Sequence, residues 1–393
     1  MKILLAVTGG VAAFKAVLLL RRLQDAGAEV EVLMTDAATR FVGEPTFHAL
    51  SGRPVNRSAW DLAGTRSGER HVELSAWADA MIVYPATAHS VGALAAGLCD
   101  DLIQLTAFSM KGPVLMCPAM HHRMAGRPQY RAAVEKLEAS GVHVLPAVTG
   151  RLASGEVGDG RLPEPEEALE ALLRLLTDQD LAGRHVVVTA GPTREAVDPV
   201  RFLSNPSTGK MGFAVARMAA RRGARVTLIA GPTSITPPPV ELIEVTTAAE
   251  MAEAVLACRN ADALVMAAAV ADFRPASSAA QKIKKPADGT APPIVLERTT
   301  DILASLAEGT RPRVVVGFAM ETQDLVANAR GKLERKGLDL IVANDLGVVG
   351  AGFGTDTNVV VLLDADGGRT DLARASKDTV ANAVLDRVVA GLE

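Results

Sequence analysis

Between Gly191 and Gly212 the chain reads GPTREAVDPVRFLSNPSTGKMG, with three cations, Arg194, Arg201 and Lys210, set among Gly, Pro, Ser, Thr and Asn. Such a mixture suits an anion. Backbone N–H groups of a Ser207-Thr208-Gly209 turn and of the next helix start lack intrahelical partners, and the side chains add positive charge. The stretch follows the apolar run His185-Val186-Val187-Val188-Thr189, which reads as a buried strand, and leads into a helical pattern over Met211 to Arg222. Strand-to-helix connections in α/β units usually take about 2–6 residues, and this one takes roughly twenty. A long polar loop at the C-terminal end of a parallel strand sits where open sheets bind ligands. Thr208-Gly209-Lys210 falls short of a Walker-type phosphate loop, because Ser204 replaces its first Gly and Met211 its Ser or Thr. A purely structural linker is the plain alternative.

Further cations follow. Gln281-Lys282-Ile283-Lys284-Lys285 is either a solvated face or, beside a phosphate-seeking loop, a triphosphate clamp of mobile point charges. Lys332 and Lys336 lie four apart, on one face of a helix expected over Leu325 to Lys336, a spacing that surface solubility also explains. In the first half, Gly9-Gly10 turns an apolar strand, Lys2 to Thr8, into a helix, Val11 to Asp25. The turn lacks the GxGxxG fingerprint of dinucleotide binding, so it suits one phosphate of a mononucleotide, or is a tight turn only. His71, His89, His121 and His122 fall near the loops of that half, where a group titrating near neutrality could do proton work. Their spacing is not that of a metal site, since adjacent His121 and His122 do not readily share an ion from one helix face.

The elements that position these residues repeat a β-α-β pattern twice. Strands are expected at Glu29–Met34, Ala80–Tyr84, Val114–Cys117 and Val142–Leu145. In the second half they are expected at Arg225–Ile229, Ala263–Ala268, Arg313–Phe318 and Leu338–Ala343. A last strand is expected at Val359–Leu363, after Gly352-Phe353-Gly354. Gly150 to Pro163 is Gly-rich and polar, a substrate flap or a linker, and a helix is expected from Pro165 to Leu176. The fold class is therefore α/β with two doubly wound sheets, a flavodoxin-like domain over 1–178 and a Rossmann-like domain over 184–393. The chain has 393 residues, 49% hydrophobic and 22% charged, in keeping with large buried cores. A net charge of −4 gives no footprint for nucleic acid. No apolar run is long enough for a membrane span or a signal peptide. Three cysteines without paired spacing point to a reducing compartment, the cytoplasm.

With these residues in view, the chain resembles, nearly end to end, the bacterial bifunctional family that joins phosphopantothenoylcysteine decarboxylase to phosphopantothenate–cysteine ligase in coenzyme A biosynthesis. The resemblance is carried by Gly191-Pro192-Thr193-Arg194-Glu195, Asp198-Pro199-Val200-Arg201, Ser204-Asn205 and Ser207-Thr208-Gly209-Lys210-Met211-Gly212. Ala269-Val270-Ala271-Asp272, Lys282-Ile283-Lys284-Lys285 and Ala343-Asn344-Asp345 continue it in the same order. It implies a ligase in which CTP and 4′-phosphopantothenate form an acyl-cytidylate with loss of pyrophosphate, and the amine of L-cysteine then attacks. Fixed cations and Mg²⁺ would stabilise the departing charge, with metal ligands left open. By family position Lys282 is the lysine for that role, Asn205 holds the substrate or intermediate, and Arg201 lies nearby. Ala267, Ala268, Asp272, Thr300 and Asp301 fall on nucleotide positions, as do Ile302, Phe318, Lys332 and Lys336. Ser204 to Gly212 would close as a flap that excludes water. The first half resembles flavin-dependent cysteine decarboxylases. FMN is implied near Gly10, Val11, Thr35, Ala86 and Thr87, and His71 matches the family's active-site histidine.

Two positions depart from the family pattern: His121 stands for an Asn, and Ser154 for a flap Cys that donates a proton. A His holds a carboxylate well only when protonated, and a serine hydroxyl is a far weaker acid than a thiol of pKa about 8.5. The last decarboxylase step should then be slow or draw its proton elsewhere. The first half remains a decarboxylase, stalls after oxidation, or serves as a scaffold for a protein active only as a ligase. Other function classes are a phosphatase-inhibiting flavoprotein, for which the C-terminus offers no acidic tail, and an enzyme acting on a peptide's C-terminal cysteine, against which the fused ligase argues. The family's trimers through the flavin half and dimers through the ligase half imply a homo-oligomer, up to a dodecamer.

Overall fold

The computed structural model describes residues 1–61, 68–284, 293–307, 309–321, 324–345, 352 and 354–393. Lys285 and Phe353 lie outside the described residues. The chain divides into two compact units, Met1–Asp178 and Gln179–Glu393.

In the first unit the strands β1 (Lys2–Val7), β2 (Glu29–Met34), β3 (Ala80–Ala86), β4 (Val114–Pro118) and β5 (His143–Val144) form one parallel sheet ordered β2-β1-β3-β4-β5. This is the flavodoxin order, with its switch point between β1 and β3. Continuous apolar runs make such strands because both faces are covered. Residues Ile3 to Val7 are all buried. Helices Phe14–Asp25 and Pro165–Leu175 cover one face, where Leu19, Leu23 and Leu172 meet Leu5 and Ile82. On the other, Val91, Leu102 and Leu137 meet Leu4 and Met81. The expected strand over Val142–Leu145 shrinks to two residues at the sheet edge. Gly150 to Pro163 is no open linker: β6 (Val148–Arg151) and β7 (Val157–Arg161) pair as an antiparallel hairpin.

The second unit holds an eight-stranded sheet. In chain order its strands and two small hairpins are β8 (His185–Ala190), β9 (Arg194–Ala196), β10 (Phe202–Ser204), β11 (Arg225–Ala230), β12 (Glu241–Glu244), β13 (Ala263–Met266), β14 (Phe273–Pro275), β15 (Leu296–Arg298), β16 (Val314–Glu321), β17 (Leu340–Asp345), β18 (Thr357–Asp364) and β19 (Arg369–Ser376). The sheet runs β12-β11-β8-β13-β16-β17-β18-β19. Its first six members are parallel in the Rossmann order, with the switch point between β8 and β13. The last two are antiparallel. Two expectations are corrected here. The strand near Val359–Leu363 is not the last, because β19 and the helix Lys377–Leu392 follow it. The long connection after β8 is not loop throughout, because β9 and β10 pair within it.

Helix Lys210–Arg221 leaves that connection and lies tightly on β8. A Cβ at Gly212 would stand 2.6 Å from the Ala190 Cβ and 2.7 Å from the Thr189 carbonyl oxygen. This is the close helix–strand approach that a glycine in a Rossmann first turn permits. Gly212→Ala is therefore expected to destabilise the fold by about 1–3 kcal/mol, read as a lower denaturant midpoint at unchanged slope. An unchanged midpoint would contradict the close packing.

Candidate functional sites

In the second unit a cavity of about 740 Å³ opens over the C-terminal ends of β8, β13, β16 and β17. Its wall after β13 is held by hydrogen bonds from the chain after β8. The amide of Ala268 donates to Thr189 Oγ1 (3.1 Å), that of Ala271 to Thr193 Oγ1 (3.0 Å), and that of Ala269 to the Gly191 carbonyl (2.9 Å). Gly191 and Gly209 both take positive φ, 77° and 78°. A Cβ on Gly209 would meet Thr233 Cγ2 at 2.8 Å, so this backbone passes where no side chain fits. Gly209 then sits at the N-cap of helix Lys210–Arg221 with no side-chain cap.

This cavity gathers Asn205, Ala267, Ala268, Asp272, Thr300, Asp301, Ile302, Phe318, Lys332 and Lys336, all expected from the sequence. Asn205 Nδ2 donates to the carbonyls of Ala269 (3.1 Å) and Val270 (3.4 Å). Lys332 Nζ donates to the Phe318 carbonyl at 3.3 Å, and Lys336 pairs with Asp301. Burial pushes the Asp301 carboxyl up, but the Lys336 ammonium and the Ala304 amide outweigh it and hold it below the usual range.

Arg201 and Lys282 do not line this cavity. They are brought together elsewhere in the unit, around Asp198. Its carboxylate, fully shielded from solvent, accepts from the amides of Val200 (2.9 Å), Arg201 (2.9 Å) and Ile283 (3.1 Å), and from Arg201 Nε (2.9 Å) and Nη2 (2.5 Å). Arg201 Nη2 also donates to the Ile283 carbonyl at 2.9 Å. The Arg201 hydrogen bonds hold the Asp198 carboxyl far below its ordinary value. A depressed carboxyl contributes its stabilisation at every pH above the ordinary carboxylate range, and loses it only as pH falls through the lowered value. The knot therefore persists from neutrality well into acid. Arg201, expected near Asn205, lies off the cavity wall that Asn205 lines, and its guanidinium is held by Asp198 and the Ile283 carbonyl.

In the first unit a cavity of about 1300 Å³ is lined by Gly10, Val11, Thr35, Thr87, His121 and Ser154. Gly10 precedes the helical turn Val11–Ala13, and a Cβ there would meet nothing, whereas one on Gly9 would strike Ala37 at 2.4 Å. Thr87 caps helix Ala88–Ala95 by accepting from the Ser90 amide, and its own amide donates to Thr8 Oγ1 at 3.0 Å. Two expected residues lie off the wall. Ala86 is fully buried at the end of β3, and His71 sits half-buried on helix Arg70–Trp77.

The sequence reading missed two groups here, Glu156 of the hairpin and Arg123 of the short helix His122–Ala125. His121 Nε2 donates to Glu156 Oε2 at 2.6 Å, Arg123 Nη2 donates to Glu156 Oε1 at 2.8 Å, and the Arg123 amide donates to His121 Nδ1 at 3.3 Å. These contacts assign His121 its Nε2–H tautomer, with both ring nitrogens engaged. The hydrogen bond from His121, with the charge of Arg123, holds the Glu156 carboxyl below its usual range. Glycines let the hairpin come this close: a Cβ on Gly158 would stand 2.7 Å from the His122 Cβ, and one on Gly160 2.0 Å from the Met120 carbonyl oxygen. His121, His122 and Glu156 bring donor atoms within 4.8 Å of one another, a grouping that histidine spacing alone did not suggest, because its third member comes from the hairpin. With Arg123 on the same carboxylate, it is an ion-paired cluster.

Two doubly wound sheets in one chain, each with a cavity at its switch point, define a two-unit α/β protein of ligand-binding folds. The family models agree with that division. A model described as Flavoprotein matches residues 1–177, and one described as DNA/pantothenate metabolism flavoprotein C-terminal domain matches residues 181–392. The coenzyme A biosynthesis bifunctional protein CoaBC of Bacillus subtilis (strain 168) is 44% identical over 394 residues, covering 99% of this chain and 96% of its own. The protein of that name from Mycobacterium tuberculosis (strain ATCC 25618 / H37Rv) is 45% identical over 407 residues, with 99% and 96% covered. A solved crystal structure of the C-terminal domain of a protein with that name is 38% identical, with TM-score 0.47, covering 55% of this chain and 98% of its own. The chain belongs to the bifunctional coenzyme A biosynthesis family. The reading in which it is active only as a ligase finds no support here, since the relatives align through both halves.

Proposed function

We propose that the chain converts 4′-phosphopantothenate to 4′-phosphopantetheine by CTP-dependent ligation of L-cysteine followed by flavin-dependent decarboxylation. The observation that carries the reading is the second unit's cavity, where Asn205, the Gly209 turn and Lys332 and Lys336 share one wall-set over a Rossmann switch point. A carboxylate becomes acylating only with a leaving group, and activation by CTP places growing negative charge on pyrophosphate. Fixed cations aimed at that charge lower the barrier. Asn205 holds the acyl substrate, and the Ser204–Gly212 segment closes over it to exclude water. Among the described residues no cluster of three acidic, His or Cys side chains lines this cavity. Mg²⁺ would arrive on the nucleotide's phosphates and neutralise part of their charge. Steady-state pyrophosphate release requiring CTP, Mg²⁺, phosphopantothenate and cysteine together is the test; release that ignores phosphopantothenate would refute the reading.

Arg201 and Ile283, the neighbour of Lys282, are tied to Asp198 off this cavity, so in this reading Arg201 and Lys282 serve the cavity of a second copy. Exposed apolar side chains beside that knot, Val200, Phe202, Phe273, Val295 and Leu296, suit the face of a dimer. In the first unit Val11, Phe14 and Leu18 are exposed at helical spacing, and a trimer through that face would bring a neighbour's His71 to the flavin cavity. Together the two contacts give a dodecamer. Asp198→Ala should release both Arg201 and the Ile283 segment and lower the ligase kcat by about 100-fold, the scale of an ångström's misplacement. Calorimetric CTP affinity should change little; an unchanged kcat would show that the knot does not position Lys282.

The first unit's cavity fits FMN. Gly10 leaves open space at an uncapped helical turn for a phosphate, and Met34, Leu102, Met120 and Leu162 give an apolar wall for a ring. Gly10, Val11, Thr35 and Thr87 would hold it, with Ala86 buried behind the wall. Bound FMN supplies reversible two-electron oxidation of the substrate's thiol. The chain's part is to hold the substrate carboxylate and to move protons. His121 holds that carboxylate by exchanging Glu156 for it, one carboxylate replacing another. Ser154, on the same hairpin, orders the substrate, and His71 acts as the base. Three free cysteines and the absence of any described helix long and apolar enough to cross a membrane suit a cytoplasmic enzyme.

A further inference from the structure

The cavity of the second unit contains a group of buried polar side chains that neither the sequence nor the family motifs assign to a ligand. Asn344, the last residue but one of β17, lies on the cavity wall at 2% exposure, and among the described residues neither atom of its amide group has a hydrogen-bond partner. An orphaned buried amide costs free energy unless something enters to meet it. Lys377, the first residue of helix Lys377–Leu392, lines the same wall at 8% exposure. Among the described residues its ammonium donates one hydrogen bond, to Asn358 Oδ1 at 2.7 Å, and makes no ion pair, the Asp356 carboxylate that acts on its charge being paired with Lys210 instead. Asn358, 3% exposed, is turned by a contact of its Nδ2 with the Met211 sulfur at 3.6 Å. Lys210 stands nearby on the wall, partly neutralised by Asp356 at 2.7 Å. Burial and the charge of Lys210 push the Lys377 ammonium down to about 8, with Asp356 acting the other way. The uncapped helix start at Gly209 opens on the same space.

A buried cation with no ion-pair partner of its own and an amide with no hydrogen-bond partner, both among the described residues, together with a helix start, match an anion with several acceptor oxygens, not a neutral group. We propose that Lys377, Asn344 and Asn358, with the helix start at Gly209, form a subsite for a terminal phosphate group of the ligase's substrates. This rests on the ligase reading for the identity of the ligands, though not for the binding itself. Both phosphopantothenate and CTP carry such a group.

The test is calorimetry on the full-length protein with pyrophosphate, CTP, 4′-phosphopantothenate and unphosphorylated pantothenate, comparing Lys377→Met and Lys377→Arg with the parent. Lys377→Met is expected to weaken a phosphate-bearing ligand by about tenfold or more, and Lys377→Arg to restore much of it, while pantothenate is unaffected. Weakening of phosphopantothenate alone assigns the subsite to the acyl substrate; weakening of CTP and pyrophosphate assigns it to the nucleotide. Equal affinities for every phosphate-bearing ligand in a folded Lys377→Met variant overturn the proposal. Should that variant not fold, Asn344→Ala gives the same readout, with the same loss expected and the same equality overturning it. Binding is read without turnover. Phosphate binding that depends on Lys377 in a protein releasing no pyrophosphate would overturn the ligase reading and leave the subsite standing.

Discussion

Lys282→Gln is expected to lower pyrophosphate release by about 10²–10³-fold, the scale of one donor lost from a preorganised charge-stabilising site. Glutamine keeps most of the side chain's length and its polarity, so the loss reports charge. The effect should fall on kcat, because the charge that Lys282 meets is larger as pyrophosphate departs than in bound CTP. The fold predicts something further. Lys282 is exposed, its neighbour Ile283 is pinned to Asp198, and it lies off its own chain's cavity wall. Two dead variants, Lys282→Gln and Asn205→Ala, should therefore rescue each other when co-expressed. Random pairing in a two-fold dimer makes half the dimers mixed, each with one intact site of two, for about a quarter of the parent activity. No recovery in mixed dimers would mean that Lys282 serves its own chain and that the knot around Asp198 opens.

His121→Ala is expected to cost decarboxylation about 10²–10⁴-fold, the range of a positioned acid–base group, with ligation untouched. The ring contacts argue for this size. His121 is fixed at both nitrogens, by the Arg123 amide and by Glu156, so its ring already engages a carboxylate, as the proposed role requires. His121→Asn should retain most of the activity, because an amide holds a carboxylate in the same place without a charge change. Ser154→Ala should cost far less than His121→Ala, since its hydroxyl is too weak an acid to carry the proton. Mass spectrometry of the product separates the cases, because loss of the final protonation leaves a species two hydrogens lighter than phosphopantetheine. A His121→Ala enzyme with parent activity would remove this residue from the chemistry.

The parts of the fold legible in the sequence are those with a continuous apolar signal. β2 and the helix Leu325–Lys336 fall where hydrophobic runs and periodicity put them. The cation-bearing connection after β8 was legible by its length and composition, but not its inner hairpin, since three-residue strands beside Pro199 carry too little pattern. Val380, Val384 and Val388 repeat every four residues and all turn inward, so the last helix was present in the periodicity. The nine residues expected on the nucleotide side and Asn205 line one cavity, because strand ends of one sheet, the loops after them and the helix Leu325–Lys336 meet at one edge. What the sequence hid depends on three-dimensional approach. Glu156 reads as one acid in a Gly-rich loop until glycines let the hairpin touch His121. Lys377 and Asn344 lie more than thirty residues apart, and a lone lysine at a helix start reads as solvated. The hold of Asp198 on Arg201, three residues away, was likewise hidden, since it shows only once the Ile283 amide joins the same carboxylate.

The most direct test of the account is a single-turnover reaction with cysteine withheld. Enzyme, CTP, Mg²⁺ and 4′-phosphopantothenate should release one pyrophosphate per active site and accumulate a phosphopantothenoyl-cytidylate of matching mass, and CMP should appear only when cysteine is added. Release of phosphate with CDP in place of pyrophosphate, or no nucleotide adduct before cysteine, would contradict it.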